Sequence, residues 1–492
     1  MRTEYPLSNP IQKLAGQTAI YGLCSMAPRF LNYLLVPLHT GVFDKAGYGV
    51  ITDLYAYVTF LVIFLTYGME TGFFRFAQNM DKNRVYGTAF VSLLTTSLLF
   101  IALVTVFAGP LAVKMDYVGH PEYLVWFAWI LGLDAISAIP FARFRLDERP
   151  LRFAFYKLSS VAVNVLFNLF FLWFCPRYAD SGWIQKIYHP EVGVGYVFVA
   201  NLIASATTIL LLLPEILRHK ACFEFGLWKR IVAYSLPLMV AGLAGAVNEV
   251  IDRVLLKYRL PEDAHPMEQL GVYGANIKIA VLMVLFFQMF RYAAEPFFFN
   301  NAKEKDSRET IAAVMKYFIM FCLLIFLGVT FYLDLVRYFI SAKFWEGLGV
   351  VPVMLLAYMC LGIYYNLSIW FKLSNQTGYG LMIASVGAAV SIAGNWFLIP
   401  VWGYHASAWM HLACYTVMIA ITWRLGRRHY PVPYPLKRIT LYVVIALALY
   451  MLAYFTKMEN IALNLLKNTI LFIIFAFYLN RKENLLKQIL KP

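Results

Sequence analysis

Long apolar runs separated by short polar clusters dominate this chain, and within each run apolar positions fill every helical face instead of alternating as a half-buried strand would. Fourteen runs are long enough to cross about 30 Å of hydrocarbon. They cover residues 18–40, 48–70, 86–109, 123–142, 153–175, 193–214, 231–256, 271–297, 311–333, 349–371, 380–400, 404–423, 439–456 and 463–479. The pattern predicts an all-α polytopic membrane protein of about 14 transmembrane helices. Two pseudo-symmetric six-helix bundles are expected, an N-terminal one over residues 1–225 (spans 1–6) and a C-terminal one over 226–430 (spans 7–12). An additional helix pair with a cytoplasmic tail is expected over 431–492 (spans 13–14).

The halves are related by a repeat. Residues 48–81 shifted by 225 positions lie without a gap on 273–306. Tyr48/Tyr273, Gly49/Gly274, Tyr67/Tyr292, Glu70/Glu295, Phe73/Phe298, Phe74/Phe299, Ala77/Ala302 and Asp81/Asp306 are then identical. In both copies Tyr-Gly opens an apolar run, and a Glu followed by aromatics and a charged loop closes it. Spans 2 and 8 run in the same direction, as in parallel repeats related by an axis along the membrane normal.

Composition agrees with the span pattern. Apolar residues make up 61% of the chain and charged residues 14%, an apolar excess that a bilayer tolerates and water does not. The net charge of +15 is not gathered into one patch, so nucleic acid is not an expected partner. It follows topology instead. With both termini cytoplasmic, 27 Lys and Arg fall on the cytoplasmic side, 11 on the opposite side and 4 within or at the edges of spans. The six cysteines show no CxxC or metal-ligand spacing and read as reduced packing residues. Residues 1–13, with Arg2, Glu4 and two prolines, do not read as a cleavable signal peptide.

Ionisable groups at bilayer depth cost several kcal/mol unless paired or hydrated, which makes each a functional candidate. Arg29 lies near the middle of span 1 on a face with Gly22, Ser25 and Asn32. The alternative for it is an arginine held by backbone carbonyls or a buried acid. Span 2 carries Asp53, then Glu70 and Arg75 at its inner end; the repeat places Lys278 opposite Asp53 and Glu295 opposite Glu70. The opposed charges of Asp53 and Lys278 suggest a bridge between halves. Span 7 carries Glu249, Asp252 and Arg253, of which Glu249 and Arg253, four apart with the acid first, read as a structural ion pair. Asp252 is then the freer acid. Span 8 carries Arg291 four residues before Glu295. Gly68 and Gly72 have GxxxG spacing, more often a packing notch than a ligand site. No P-loop, HExxH or GxSxG is present, and no catalytic cofactor or metal is expected.

The stretch AIYGLCSMAPRFLNYLLVPLHTGVFDKAGYGVITDLYAYVTFLVIFLTYGMETGFFRFA resembles the opening of bacterial polysaccharide-unit flippases, members of the multidrug/oligosaccharidyl-lipid/polysaccharide exporter superfamily. The features that carry the likeness are Tyr21-Gly22, Val36-Pro37-Leu38, Tyr48-Gly49 and Gly68-Met69-Glu70 leading to Phe74-Arg75-Phe76. The resemblance implies a multi-pass protein of the bacterial inner membrane, not an enzyme. Such a protein moves undecaprenyl-diphosphate-linked oligosaccharide from the cytoplasmic to the periplasmic leaflet by alternating access, in cell-surface polysaccharide synthesis. It also implies a cationic cavity, with Arg29 and Arg75 at the corresponding positions. Arg29, Arg75, Lys278 and Arg291 are the candidate diphosphate contacts, since a diphosphate needs fixed positive charge and Arg matches it bidentately. Asp53, Glu70, Asp252 and Glu295 are the candidates for gating or for coupling to H⁺ or Na⁺. Membrane lipids and polysaccharide polymerase machinery are the expected partners. The alternatives are a peptidoglycan lipid II flippase, which the extra helix pair resembles, a drug/cation antiporter, and an integral-membrane glycosyltransferase or polymerase.

Overall fold

The computed structural model describes residues 30, 33–219, 222–300, 307–374 and 376–483. Thirteen of its helices are long and apolar enough to cross a membrane. They are α1 (Lys45–Ala77), α2 (Lys82–Val106), α3 (Pro121–Leu146), α4 (Pro150–Arg177), α5 (Gly195–Arg218), α6 (Phe225–Arg259) and α7 (Pro266–Asn300). After them come α8 (Ser307–Phe331), α9 (Ala342–Leu373), α10 (Gly378–Trp402), α11 (Tyr404–His429), α12 (Leu436–Phe455) and α13 (Ile461–Glu483). They correspond one for one to the second to fourteenth expected spans. The first expected span lies mainly outside the described residues. Among the described residues there is no strand, and the chain is an all-α polytopic membrane protein.

Local chemistry sets the helix starts. The Asp44 carboxylate accepts from the Gly47 amide at 2.8 Å and caps α1, and Asp81 accepts from the Asn83 and Arg84 amides, both at 2.9 Å, to cap α2. Pro121 and Pro150 open α3 and α4, where a missing amide hydrogen costs nothing. Asn460 caps α13 through the Ala462 and Leu463 amides.

By its internal contacts the chain forms two compact units, Met1–Val254 and Leu255–Pro492. The line between them falls inside α6, beyond the sequence-based boundary at 225/226. The reason is packing: Leu227 and Ile231, in the first turns of α6, are fully buried in a first-unit core with Met69, Phe73, Val85, Tyr86 and Ile139. In the second unit α7 is central, with 72% of its most apolar stretch buried; α12 and α13 bury 17% each and leave broad apolar faces for lipid. Polar contacts hold this outer pair onto α8. At one end Glu483 pairs with Lys316 and accepts from the Tyr442 hydroxyl at 2.6 Å. At the other, Asn468 donates to the Phe331 carbonyl at 2.9 Å and Tyr332 meets Thr469 at 2.8 Å.

Candidate functional site

α1 is two helices in series. Tyr67 and Gly68 both take left-handed backbone (φ 32° and 70°), which ends one helix at Thr66 and starts another at Met69. Glycine is required at position 68 twice over. Its φ is unfavourable for an L side chain, and a Cβ there would stand 2.8 Å from the Ser235 carbonyl oxygen of α6. One turn on, a Cβ on Gly72 would meet Ser235 Oγ at 2.5 Å and Ile231 Cγ2 at 2.6 Å. The Gly68/Gly72 pair is therefore the notch that α6 fills.

Beyond this break α1 presents its charges. Glu70 pairs with Arg145 of α3, both partly exposed. Arg75 lies over the Tyr234 ring of α6, 4.6 Å from its centroid. Its surroundings differ from those of the nearby basic groups. Arg84 pairs with Glu224, Arg143 with Asp147, and Arg149 and Arg152 with the buried Glu215. Arg75 has no carboxylate partner among the described residues.

The second unit repeats this chemistry by another route. Near the end of α7, Arg291 lies 4.8 Å from the Tyr365 ring centroid of α9, with no carboxylate partner among the described residues. It lines a cleft with Phe287, Phe290, Tyr365, Asn366 and Lys372. The cleft is narrow, with room for water and not for a sugar ring. A guanidinium over a tyrosine ring is held by the face of the ring, and its planar fork of N–H donors is the group that matches a phosphate or carboxylate.

The other candidates are placed as follows. Asp53 is fully buried and accepts from the Tyr117 hydroxyl at 2.6 Å, within the first unit. Lys278 is on an exposed position of α7. On α6, Glu249 is exposed, Asp252 fully buried and Arg253 half-buried. Arg29 and the Glu295 side chain lie outside the described residues.

The structure adds partners that sequence reasoning missed. Lys372 reads as a loop charge in the sequence but closes α9 and faces the Arg291 cleft. Arg145 reads in the sequence only as a cytoplasmic positive charge. Asp134, a lone acid midway along α3, accepts from Ser205 of α5 at 2.8 Å and lies within electrostatic range of Lys157 of α4. A single acid in the middle of an apolar run is the signal for it.

A bundle of membrane-spanning helices with arginines set over tyrosine rings, each without a carboxylate partner among the described residues, has the make-up of a polytopic transporter. Within that class, the chain belongs to the polysaccharide biosynthesis protein family, whose sequence model matches residues 14–301. Its fold is similar to that of the lipid II flippase MurJ in an inward closed conformation, with a TM-score of 0.72 at 13% identity over 94% of this chain and 99% of that one. It is also similar to an inward-facing multidrug resistance MATE family transporter of the MOP superfamily (TM-score 0.63, 13% identity, 88% of this chain and 99% of that one). A third likeness is to the MATE multidrug transporter DinF-BH (TM-score 0.61, 15% identity, 86% and 96%). A sequence comparison with curated proteins finds no match. Family and fold together are those of flippase-type exporters, and they point to transport instead of enzymatic chemistry.

Proposed function

We propose that this chain is a secondary transporter that flips undecaprenyl-diphosphate-linked oligosaccharide from the cytoplasmic to the periplasmic leaflet by alternating access. Its place is then the bacterial inner membrane, with both termini cytoplasmic, where it serves cell-surface polysaccharide synthesis. The observation that carries this reading is the pair of tyrosine-stacked arginines, Arg75 in the first unit and Arg291 in the second, each without a carboxylate among the described residues. An anionic headgroup would pair with both guanidinium groups. Asn366 and the aromatic lining beside Arg291 suit the first sugar and the prenyl chain. The narrow cleft then opens during the cycle to admit the headgroup. A cationic drug would be repelled by Arg291 and Lys372, which disfavours drug export.

The test is flipping in proteoliposomes of a fluorescent undecaprenyl-diphosphate-linked N-acetylglucosamine, read by chemical quenching of the outer leaflet. Wild type is expected to expose label in the opposite leaflet, and Arg291→Ala to do so far more slowly at equal insertion. Lipid II as the probe decides the second reading, which the MurJ-like fold favours. Transport of lipid II but not of the single-sugar lipid would replace the proposed substrate.

A further inference from the structure

The first unit holds a group of charges that the proposed substrate contacts do not use. Asp134 is the fourteenth of the 26 residues of α3, about 20 Å from one helix end and 18 Å from the other at ~1.5 Å per residue. A carboxyl at that depth needs partners or water. Ser205 of α5 donates to its Oδ1 at 2.8 Å. Tyr55 of α1, itself hydrogen-bonded by Asn201 of α5 at 3.0 Å, and Lys157 of α4 both lie within its electrostatic range. Residues from three further helices thus converge on one side chain, which is nevertheless exposed. Lys157 is fixed in turn. Its Nζ sits over the Phe141 ring at 4.1 Å, within electrostatic range of Glu70 and Arg145 as well as Asp134. No other charged group reaches this level from α2 or α5, whose charged residues lie in their end turns: Lys82 and Arg84, and Glu215 and Arg218.

We propose that Asp134 is a proton-binding site whose state Lys157 reads, a device that rests on the transport reading above and supplies its coupling ion. With Asp134 ionised, the four groups balance: Asp134 and Glu70 are negative, Lys157 and Arg145 positive. A proton taken from water onto the Asp134 carboxyl, with Ser205 still donating to the other oxygen, leaves the group with one net positive charge. Lys157 then has one fewer counter-charge, and the unit becomes more attractive to an anionic headgroup. A proton suits the site better than a metal cation. Among the described residues no cluster of three or more His, Cys, Asp or Glu could hold a metal ion, whereas a proton needs only the one carboxyl.

Two measurements on the full chain test this. The first needs no substrate: infrared difference spectra of the reconstituted protein across a pH titration. A protonated-carboxyl band should titrate in wild type, be absent in Asp134→Asn, and shift to higher pH in Ser205→Ala, which removes a hydrogen bond favouring the ionised form. The second is the ratio of flipping rates of the labelled undecaprenyl-diphosphate sugar with and without a pH gradient. One pH unit is worth about a factor of ten per proton, so a ratio of up to about tenfold is expected for wild type and near one for Asp134→Asn. The site is overturned if the band titrates unchanged in Asp134→Asn. It is equally overturned if that variant keeps the wild-type ratio, or if a Na⁺ gradient drives flipping with no titrating band. Should wild type fail to flip the probe at all, the transport reading falls and the infrared titration alone decides the site.

Discussion

α1 and α7 carry the two copies of the same repeat, and their opening turns fold alike while their closing turns do not. Tyr48 and Tyr273 are both buried beside their glycines near the helix start, and Phe73 and Phe298 are both buried near the end. Between these points the copies part. Tyr67 turns left-handed, its hydroxyl 2.6 Å from Ser92 Oγ, and Gly68 breaks α1; the matching Tyr292 stays helical and exposed, and α7 runs unbroken through Ala293. The stacked arginines are not register equivalents either: the 225-residue shift sets Arg75 on Asn300 and Arg291 on Thr66. Repeat positions that pack are kept in both copies, whereas each copy brings its cation to a tyrosine by a different path.

The largest effects should come from forcing α1 to resemble α7. Gly68→Ala puts a side chain at φ 70° and 2.8 Å from a backbone oxygen that has no room to retreat. The left-handed backbone costs about 1–2 kcal/mol and overpacking roughly 1–3 more. Gly72→Val should cost a similar overpacking energy against Ile231 and Ser235. Thermal unfolding in detergent, followed by tryptophan fluorescence, should show both variants well below wild type. Wild-type stability in Gly68→Ala would mean that α6 does not seat in this notch.

Next in size is the loss of a stacked cation. If Arg291 contacts phosphate, Arg291→Ala removes charge-assisted hydrogen bonds worth about 1.5–3 kcal/mol, or roughly 10- to 150-fold in apparent affinity for the labelled lipid. Arg291→Lys keeps the charge but loses the planar fork, and should recover only part of it. Arg75→Ala tests the same role in the first unit. Equal flipping kinetics in Arg291→Ala and wild type would remove this residue from the path.

The same contrast explains what the sequence disclosed. Spans were legible because each is a local run of apolar residues, and the notch at Gly68 and Gly72 because its signal is a four-residue spacing. Arg291 stood out as a charge where charges are costly. Partners across helices were not legible: Arg145 for Glu70 is 75 positions away, Tyr117 for Asp53 is 64, and no spacing rule links such pairs. The start of α6 shows the same limit, because the boundary expected at 225/226 carries no local signal for which unit the first turns of that helix pack into. Only contacts show Leu227 and Ile231 seated in the first unit's core.

Asp53 and Lys278 occupy matching repeat positions and should respond unequally. Asp53→Asn exchanges a charge-assisted acceptor for a neutral one facing the Tyr117 hydroxyl, at a cost of about 1 kcal/mol. Lys278→Met takes a charge from an exposed position of α7, where an ion pair is worth about 0–1 kcal/mol, and should cost less. Parallel thermal melts of the two variants measure the difference. A larger loss in Lys278→Met would show that the exposed lysine carries a structural bond comparable to the buried aspartate's.

The smallest effect is the reciprocal of the first, giving α7 the glycine that α1 has. At Ala293 the backbone is already helical, so Ala293→Gly meets no left-handed φ. What changes is the freedom of the unfolded chain and the helix propensity, together about 0.5–1 kcal/mol. Gly68→Ala and Ala293→Gly exchange the same two residue types at the same repeat position, so side-chain chemistry cancels between them and only backbone state and packing remain. Their melting points should therefore fall by clearly different amounts, the first variant lower. Equal losses would mean that α7 also bends at Ala293 in the membrane, and that the break in α1 belongs to the repeat instead of to one copy of it.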